Sequence, residues 1–222
     1  MAKRQARFTT EDLVGRIDLE DDSPDLWPDD LSDVARRLLT SAVRCFASNG
    51  YHATTTRDIS GGIGLSPAAM YVHFPSKELV LFEIIRAAHV AARDQVRELV
   101  LRPDTEAGQR LYELVFHYTA WHARHHVAAR VAQFELSGLT AEHFDEIVAI
   151  RHETNDVFRS AISAGVDDGS FGDVDVRRIT RALLSLSIDL VRWYRRGGPE
   201  SPEQVGTFNA DLALRLVARP PD

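Results

Sequence analysis

Apolar residues recur every three or four positions through most of the chain after residue 30, which is the spacing of one face of an α-helix. The first such segment carries an apolar stripe made of Val34, Leu38, Leu39, Ala42, Val43 and Phe46. Asp30 or Ser32 is suited to cap its start, and Asn49-Gly50 is a typical helix stop. The pattern therefore predicts a first helix between these signals.

A short helix and a turn are predicted next. Residues 54–56 are three threonines, and each is able to cap a helix that begins near Arg57. Ile59 and Ile63 lie four positions apart and give this helix one apolar face. Gly64-Leu65 then breaks the helix, as a tight turn between two packed helices requires.

A second short helix follows the turn. Ser66 is suited to its N-cap and Pro67 to its first helical position, and the helix is predicted to reach Phe74. A further helix begins at Ser76. Two short helices around a glycine turn indicate a helix-turn-helix, in which the second helix enters the major groove of DNA.

The remainder of the chain also reads as helical. From residue 87 onward there is no strand-like alternation and no internal repeat. Helices are predicted over residues 105–126, 127–137, 141–164, 175–196 and 202–219, with Gly165 ending the third of these. The fold class is therefore predicted to be all-α.

Composition narrows the setting of the protein. The chain has 222 residues and a net charge of −7. Residues 31–80 differ from this average, because they hold five basic and three acidic side chains. A mildly basic segment on an acidic molecule predicts that DNA affinity depends on geometry as well as bulk charge. No apolar run approaches the roughly 18 residues that a membrane-spanning helix needs, so no membrane partner is expected.

The cysteine count and the first residues predict the compartment. Cys45 is the single cysteine, which permits no intrachain disulfide and suits a reducing cytoplasm. It lies on the apolar first helix, where we expect a packed thiol rather than a reactive one. The basic start MAKRQARFTT is not followed by an apolar stretch, so we expect no secretory signal.

Residues 1–30 are predicted to be a flexible tail. Basic residues come first, an acidic run between Asp18 and Asp25 follows, and two prolines interrupt any helical period. The simplest interpretation is a solvated leader. A basic arm that touches DNA is a second hypothesis, and calcium binding by the acidic run is a third, although the EF-hand spacing is lacking.

Residues 54–79 resemble the N-terminal motif of the TetR family of bacterial repressors. The matching positions are Thr55, Arg57, Asp58, Ile59, Gly64, Ser66, Tyr71, His73, Phe74, Ser76, Lys77, Glu78 and Leu79. Ser60, Ile63 and Leu65 depart from the motif, which we expect to alter the helix packing angle slightly. The resemblance implies a DNA-binding domain at residues 31–79 and a ligand-binding and dimerisation domain at residues 80–219.

The candidate DNA contacts follow from this motif. Small side chains on the second helix suit thymine methyl groups, and Arg57 suits a guanine or a phosphate. Met70 is expected to pack inward with Phe74. By resemblance, Tyr71 and His73 hold phosphates and Lys77 completes the clamp, although core packing remains open for Tyr71. The predicted contact set is Thr55, Thr56, Arg57, Ser66, Pro67, Ala68, Tyr71, His73 and Lys77.

The second half is expected to enclose an effector and to pair two subunits. The predicted cavity residues are Tyr118, Trp121, His122, Phe134, Phe158, Leu186 and Arg192. Residues 191–199, VRWYRRGGP, resemble actinobacterial TetR-type repressors of fatty-acid and sterol catabolism, some of which sense acyl-CoA thioesters. The resemblance implies that arginines hold a diphosphate; a solvated basic helix end is the alternative.

The last two helices are the predicted dimer surface. By resemblance they form a four-helix bundle with their copies in a homodimer, which suits a palindromic operator. The apolar faces consist of Val176, Ile179, Leu183, Leu186, Leu190 and Tyr194 on one helix, and Val205, Phe208, Leu212 and Leu216 on the other.

Four histidines between residues 117 and 126 raise an alternative, a metal-responsive or multidrug-responsive regulator. His122 lies three and four positions before His125 and His126, which is a workable metal spacing on a helix. We expect polar pocket lining or surface histidines instead, and no cofactor. The chain has no nucleophile elbow, P-loop or HExxH motif, so an enzyme is not expected.

Overall fold

The computed structural model describes residues 23–102 and 105–219, and within these ranges it contains nine α-helices and no strand. The predicted all-α class is confirmed. The helices are α1 Asp33–Asn49, α2 Thr56–Gly61, α3 Pro67–His73, α4 Lys77–Val100, α5 Ala107–Arg124, α6 His126–Phe134, α7 Ala141–Asp167, α8 Val176–Asp189 and α9 Pro202–Val217.

Helices α1 to α3 form a small N-terminal head whose ends follow the predicted signals. Ser32 caps α1, and its hydroxyl accepts a hydrogen bond from the Ala35 N–H. Gly50 ends α1 with φ 78°, a left-handed conformation that favours glycine. The Cys45 thiol is half-buried against the core, and burial raises its pKa, in keeping with a packed cysteine.

The segment before α1 differs from the predicted tail. Residues Ser23–Leu26 form a 3₁₀ turn, and Leu26 and Trp27 are buried. The Trp27 indole N–H donates to the Thr40 hydroxyl at 2.8 Å, which ties the segment to α1. The prediction of a flexible tail through residue 30 is therefore wrong for its last part. Burial of Leu26 and Trp27 holds this part against the core, although prolines flank it. The basic arm and most of the acidic run lie outside the described residues.

Helix α4 carries the chain from the head into the C-terminal body, which α5 to α9 complete. Ser76 caps α4, as predicted. Helix α9 lies close against α5. A Cβ at Gly206 of α9 would lie only 2.9 Å from the Phe116 carbonyl oxygen of α5. The core runs continuously from the head into the body.

Gly165 does not end α7, contrary to the prediction. The helix continues to Asp167, and Gly165 lies buried inside it. A Cβ at this position would fall 2.2 Å from the Phe171 ring. The glycine is needed for the close approach of that ring, which no local pattern in the sequence reveals.

Two predicted helices end earlier than expected. The predicted boundary between residues 126 and 127 lies at His125, so that α5 ends at Arg124 and α6 begins at His126. The segment predicted at residues 175–196 ends as a helix at Asp189 and continues as a 3₁₀ turn over Leu190–Arg192. Both breaks lie beside buried side chains, and tertiary packing outweighs local helix periodicity there.

Candidate DNA interface and ligand cavity

Helix α3 presents one face to the head and the other to solvent. Met70 and Phe74 are buried, as predicted for Met70. Tyr71 is 52% exposed, which excludes core packing for it. Val72 is 81% exposed on the same outer face, and sequence reasoning missed it because a branched apolar residue resembles a core position. Its place two residues after Met70 was the available signal.

The small residues at the start of α3 lie where a DNA groove can reach them. Ser66 caps the helix by accepting from the Ala69 N–H at 3.3 Å. Ser66 and Ala68 are exposed and Pro67 is half-buried. A surface made of small side chains, an exposed valine and a tyrosine offers mainly apolar contacts to base edges, chiefly thymine methyl groups.

The start of α2 differs from the predicted phosphate site. The Thr55 hydroxyl donates to Asp58 Oδ2 at 2.7 Å and accepts from the Asp58 N–H at 3.2 Å. The Thr55 hydroxyl, together with the Thr55 backbone N–H that donates to Asp58 Oδ2 at 2.8 Å, holds the pKa of the Asp58 carboxyl below its usual range. The Thr55 hydroxyl is therefore engaged with Asp58 in this structure, and its contact with a DNA phosphate stays a prediction. Thr56 is half-buried, and Arg57 is exposed beside it.

Lys77 is also engaged within the head rather than free. Its ammonium donates to the Tyr51 carbonyl at 2.8 Å and to the Thr54 carbonyl at 2.7 Å. It lies 4.2 Å from the centre of the Tyr51 ring, a cation–π distance. Lys77 therefore has a structural role in the head, and its predicted contact with phosphate stays a prediction. His73 is half-buried, with Nδ1 3.5 Å from the Ser32 hydroxyl.

The body contains a cavity of about 770 Å³, which is lined by residues of the five helices from α4 to α8. Five predicted residues line it: Tyr118, Trp121, His122, Phe134 and Leu186. Phe158 lies behind the wall, fully buried, with its ring 5.3 Å from that of Tyr118. Arg192 is exposed, pairs with Asp189 at 3.7 Å and does not itself line the cavity. It is the last residue of the 3₁₀ turn and directly follows Val191, which does line the cavity.

Sequence reasoning missed most of the polar lining. His89 of α4, Arg151 of α7 and Arg181 of α8 all face the cavity. Arg151 donates to the Gln133 side-chain oxygen at 3.2 Å. Within residues 23–102 and 105–219, no carboxylate forms an ion pair with either arginine. The one carboxylate among the described residues of the cavity lining, Asp189, pairs with Arg192 instead. Arg151 and Arg181 therefore offer positive charge beside aromatic walls.

His89 and His122 face the cavity as neutral rings. Each ring shares its Nδ1 hydrogen with a carbonyl one turn earlier, Ile85 at 2.8 Å and Tyr118 at 2.8 Å respectively. Burial lowers the pKa of each histidine to about 4. With Nδ1 protonated in both rings, each Nε2 is a hydrogen-bond acceptor.

The histidine spacing that raised the metal-responsive alternative does not lie on one helix face. Because the helix breaks at His125, His126 leaves the face of α5 that carries His122, and its ring packs 5.5 Å from that of Tyr194. Among the described residues, no three histidine, cysteine, aspartate or glutamate side chains are grouped to hold a metal ion. The metal-responsive alternative thus lacks a formed site in this part of the chain.

The last two helices leave large apolar side chains uncovered. Phe208 on α9 is 64% exposed, and Leu186 on α8 and Leu216 on α9 are also exposed. Leu183, Leu190, Tyr194 and Val205 of the predicted faces are buried inside the subunit instead. The surface available to a second subunit is therefore narrower than the sequence pattern suggests.

A helix-turn-helix head joined by one long helix to a body with a ligand-sized cavity defines a ligand-responsive DNA-binding regulator. Residues 38–84 match the sequence profile of the bacterial regulatory proteins, tetR family. Residues 104–217 match that of the tetracyclin repressor-like C-terminal domain. The chain belongs to the TetR family of transcriptional repressors, and it is not an enzyme. No helix of the described residues is long and apolar enough to cross a membrane.

Similar proteins of this family are known in actinobacteria. The HTH-type transcriptional repressor KstR2 of Rhodococcus jostii is 34% identical over 186 residues, which cover 82% of this chain and 90% of that protein. The structure of the ketosteroid transcriptional regulator KstR2 of Mycobacterium tuberculosis has a TM-score of 0.79 at 28% identity, covering 86% of this chain and 97% of that one. AibR, solved with isovaleryl coenzyme A and operator DNA, shares the fold at a TM-score of 0.72 and 19% identity, over 84% of this chain and 99% of that one.

Proposed function

We propose that the protein represses transcription as a homodimer on a palindromic operator and is released by an acyl-CoA thioester. We further propose that the acyl part is a sterol-derived ring system rather than a linear chain. The repressor would act in the cytoplasm, where its operator lies. The observation that carries the proposal is the position of Arg151 and Arg181 beside aromatic cavity walls, where neither pairs with a carboxylate of the described residues.

The cavity chemistry supports an amphipathic anion. Tyr118, Trp121 and Phe134 offer flat apolar surface, which suits fused rings. Arg151 and Arg181 suit phosphate or thioester oxygens. This assignment replaces Arg192 by two arginines that line the cavity, the half-buried Arg151 and the exposed Arg181.

The comparisons favour the sterol branch over other effectors. KstR2 repressors of actinobacteria are among the relatives that match most of this chain, and one of them is described as a ketosteroid regulator. AibR binds isovaleryl coenzyme A on the same fold. A multidrug-responsive regulator is the second candidate, because an open aromatic cavity also suits flat apolar drugs. This candidate becomes the first if no acyl-CoA thioester releases the operator.

Dimerisation is proposed through α8 and α9. Phe208 and Leu216 of α9 are exposed apolar side chains, as is Leu186 of α8, which also lines the cavity, and their burial against a copy would be favourable. A two-fold dimer places two copies of α3 on one face of DNA, as a palindrome requires. Phe208→Glu should shift sedimentation to the monomer and abolish tight operator binding.

Fluorescence anisotropy on the DNA upstream of the protein's own gene tests the effector. Choloyl-CoA, oleoyl-CoA, free CoA and cholate would each be titrated into the complex. Release by choloyl-CoA at lower concentration than by oleoyl-CoA, with no effect of free CoA, supports the proposal. Equal potency of the two thioesters contradicts the ring-system part, and no release by either contradicts the acyl-CoA class.

A further inference from the structure

The segment at residues 135–140 follows α6, one of the helices that line the cavity, and it contacts the DNA-reading head. The last residues of α6, Ala132 to Phe134, line the cavity. The next residue, Glu135, accepts a hydrogen bond from the Tyr51 backbone N–H at 3.1 Å. The wall of the cavity and the support of the head are thus consecutive residues.

Tyr51 connects this segment to the start of the reading motif. Its carbonyl accepts from Lys77 Nζ at 2.8 Å, and Lys77 also binds the Thr54 carbonyl at 2.7 Å. Thr54 lies two residues before α2, and Lys77 is the first residue of α4. A shift of Tyr51 therefore reaches both the entry to α2 and the start of α4.

Gly138 makes the contact with Tyr51 close. A Cβ at this position would lie 2.6 Å from Tyr51 Cδ1 and 2.7 Å from Leu81 Cδ2. No side chain fits there without displacing the tyrosine ring or Leu81. Glycine at this position is thus explained by the approach of the head rather than by a turn conformation.

A second attachment lies at the other end of the segment. Glu78 Oε1 accepts from the Thr140 N–H at 3.0 Å and lies 2.7 Å from His143 Nδ1. The His143 ring stacks on Phe82 of α4 with centres 3.8 Å apart. Residues 135–140 are therefore held to the head side of the molecule at both ends.

We propose that residues 135–140 form the seat of the DNA-reading head, and that Glu135 is the positioning residue through which cavity occupancy changes operator affinity. The coupling rests on the proposed function. A bound effector displaces the end of α6, and the Glu135–Tyr51 hydrogen bond is sensitive to such a displacement because it weakens steeply with distance and angle. An unseated head must be ordered on the operator, which costs affinity.

Glu135→Ala tests the seat without any effector, with Glu113→Ala as its control. Glu113 accepts from Arg102 and Gln109 in the body and does not contact the head. We expect Glu135→Ala to raise hydrogen exchange in residues 50–56 about tenfold, since a hydrogen bond to a charged acceptor is lost. Operator Kd should rise about tenfold, within the usual range of coupling between sites. The control should change neither quantity more than about twofold.

Gly138→Ala, with Gly108→Ala as its control, tests the same seat by crowding. No atom lies within 4 Å of a Cβ at Gly108. We expect faster exchange at residues 50–56 and weaker operator binding for Gly138→Ala alone. Unchanged exchange and unchanged operator Kd in both Glu135→Ala and Gly138→Ala would overturn the seat.

Titration with choloyl-CoA tests the coupling. The ratio of operator Kd with and without the thioester should fall toward one in Glu135→Ala and stay at the wild-type value in Glu113→Ala. A wild-type ratio in Glu135→Ala would overturn the role of Glu135 in coupling. If choloyl-CoA fails to release the wild-type protein, the proposed effector is wrong, whereas the exchange measurement still decides the seat.

Discussion

The DNA-reading head and the effector body are built by different kinds of contact. In the head, each helix start is satisfied within four residues: Ser32 binds the Ala35 N–H, and Ser66 binds the Ala69 N–H. In the body, the cavity wall brings together His89, His122 and Arg151 from three helices. A reading motif can therefore be recognised from local sequence, whereas a binding cavity is assembled from residues that only tertiary packing unites.

Acidification should lower the free energy of unfolding through two histidines of the body. His89 and His122 have a pKa of about 4 in the fold, below the ordinary value of 6.5, so the unfolded chain binds protons more readily. Their contribution to stability is complete above pH 6.5 and is lost as pH falls toward 4. We expect each to cost about 2 kcal/mol by pH 5. Urea unfolding at pH 7.5 and pH 5 measures this.

Variants of buried and of exposed cavity histidines test this pH prediction. A double variant, His89→Gln with His122→Gln, should flatten the pH dependence. His152→Gln removes an exposed histidine at the same cavity and should leave the dependence intact. An unaltered pH slope in the double variant would show that other groups cause the acid loss.

Gly165→Ala should show that the body depends on close approach. The added Cβ collides with the Phe171 ring, and we expect a loss of about 2 kcal/mol in the free energy of unfolding. Gly108→Ala places a Cβ in open space within α5 and should stabilise by about 0.5 kcal/mol. Chemical denaturation of both variants checks the pair, and a neutral Gly165→Ala would contradict the packing argument.

Lys77→Ala should weaken the head from within. Two backbone carbonyls lose a charged donor, and we expect a loss of about 1.5 kcal/mol of stability. Because the ammonium serves these carbonyls, the salt dependence of DNA binding should stay close to that of the wild type. A salt slope reduced by about one unit would restore the phosphate-clamp role that the sequence predicted.

Arg57→Ala should change DNA reading without changing stability. Arg57 is exposed at the start of α2, and we expect about a tenfold loss on the operator with a smaller loss on random DNA. Anisotropy titrations at several salt concentrations separate the two effects. Equal losses on operator and random DNA would mean that Arg57 contacts phosphate alone.

The sequence predicted most of the head and only part of the cavity. The starts of α1, α3 and α4 were located because serine caps act on the next turn of the chain. Tyr118, Trp121 and His122 were found because they are large residues on one helix face. Phe158 and Arg192 do not line the cavity, since nothing local in the sequence distinguishes a cavity wall from the layer behind it or from solvent.

By itself, the sequence determined the helical class, the helix-turn-helix and the family, because periodicity, capping and turn chemistry act over a few residues. The tertiary structure decided which groups meet across long separations. In the folded chain Lys77 donates to the Tyr51 carbonyl, and Gly165 lies close to the Phe171 ring. Arg151 lines the cavity. These assignments depend on how helices pack against one another, and a spacing rule along one helix carries no information about its neighbours.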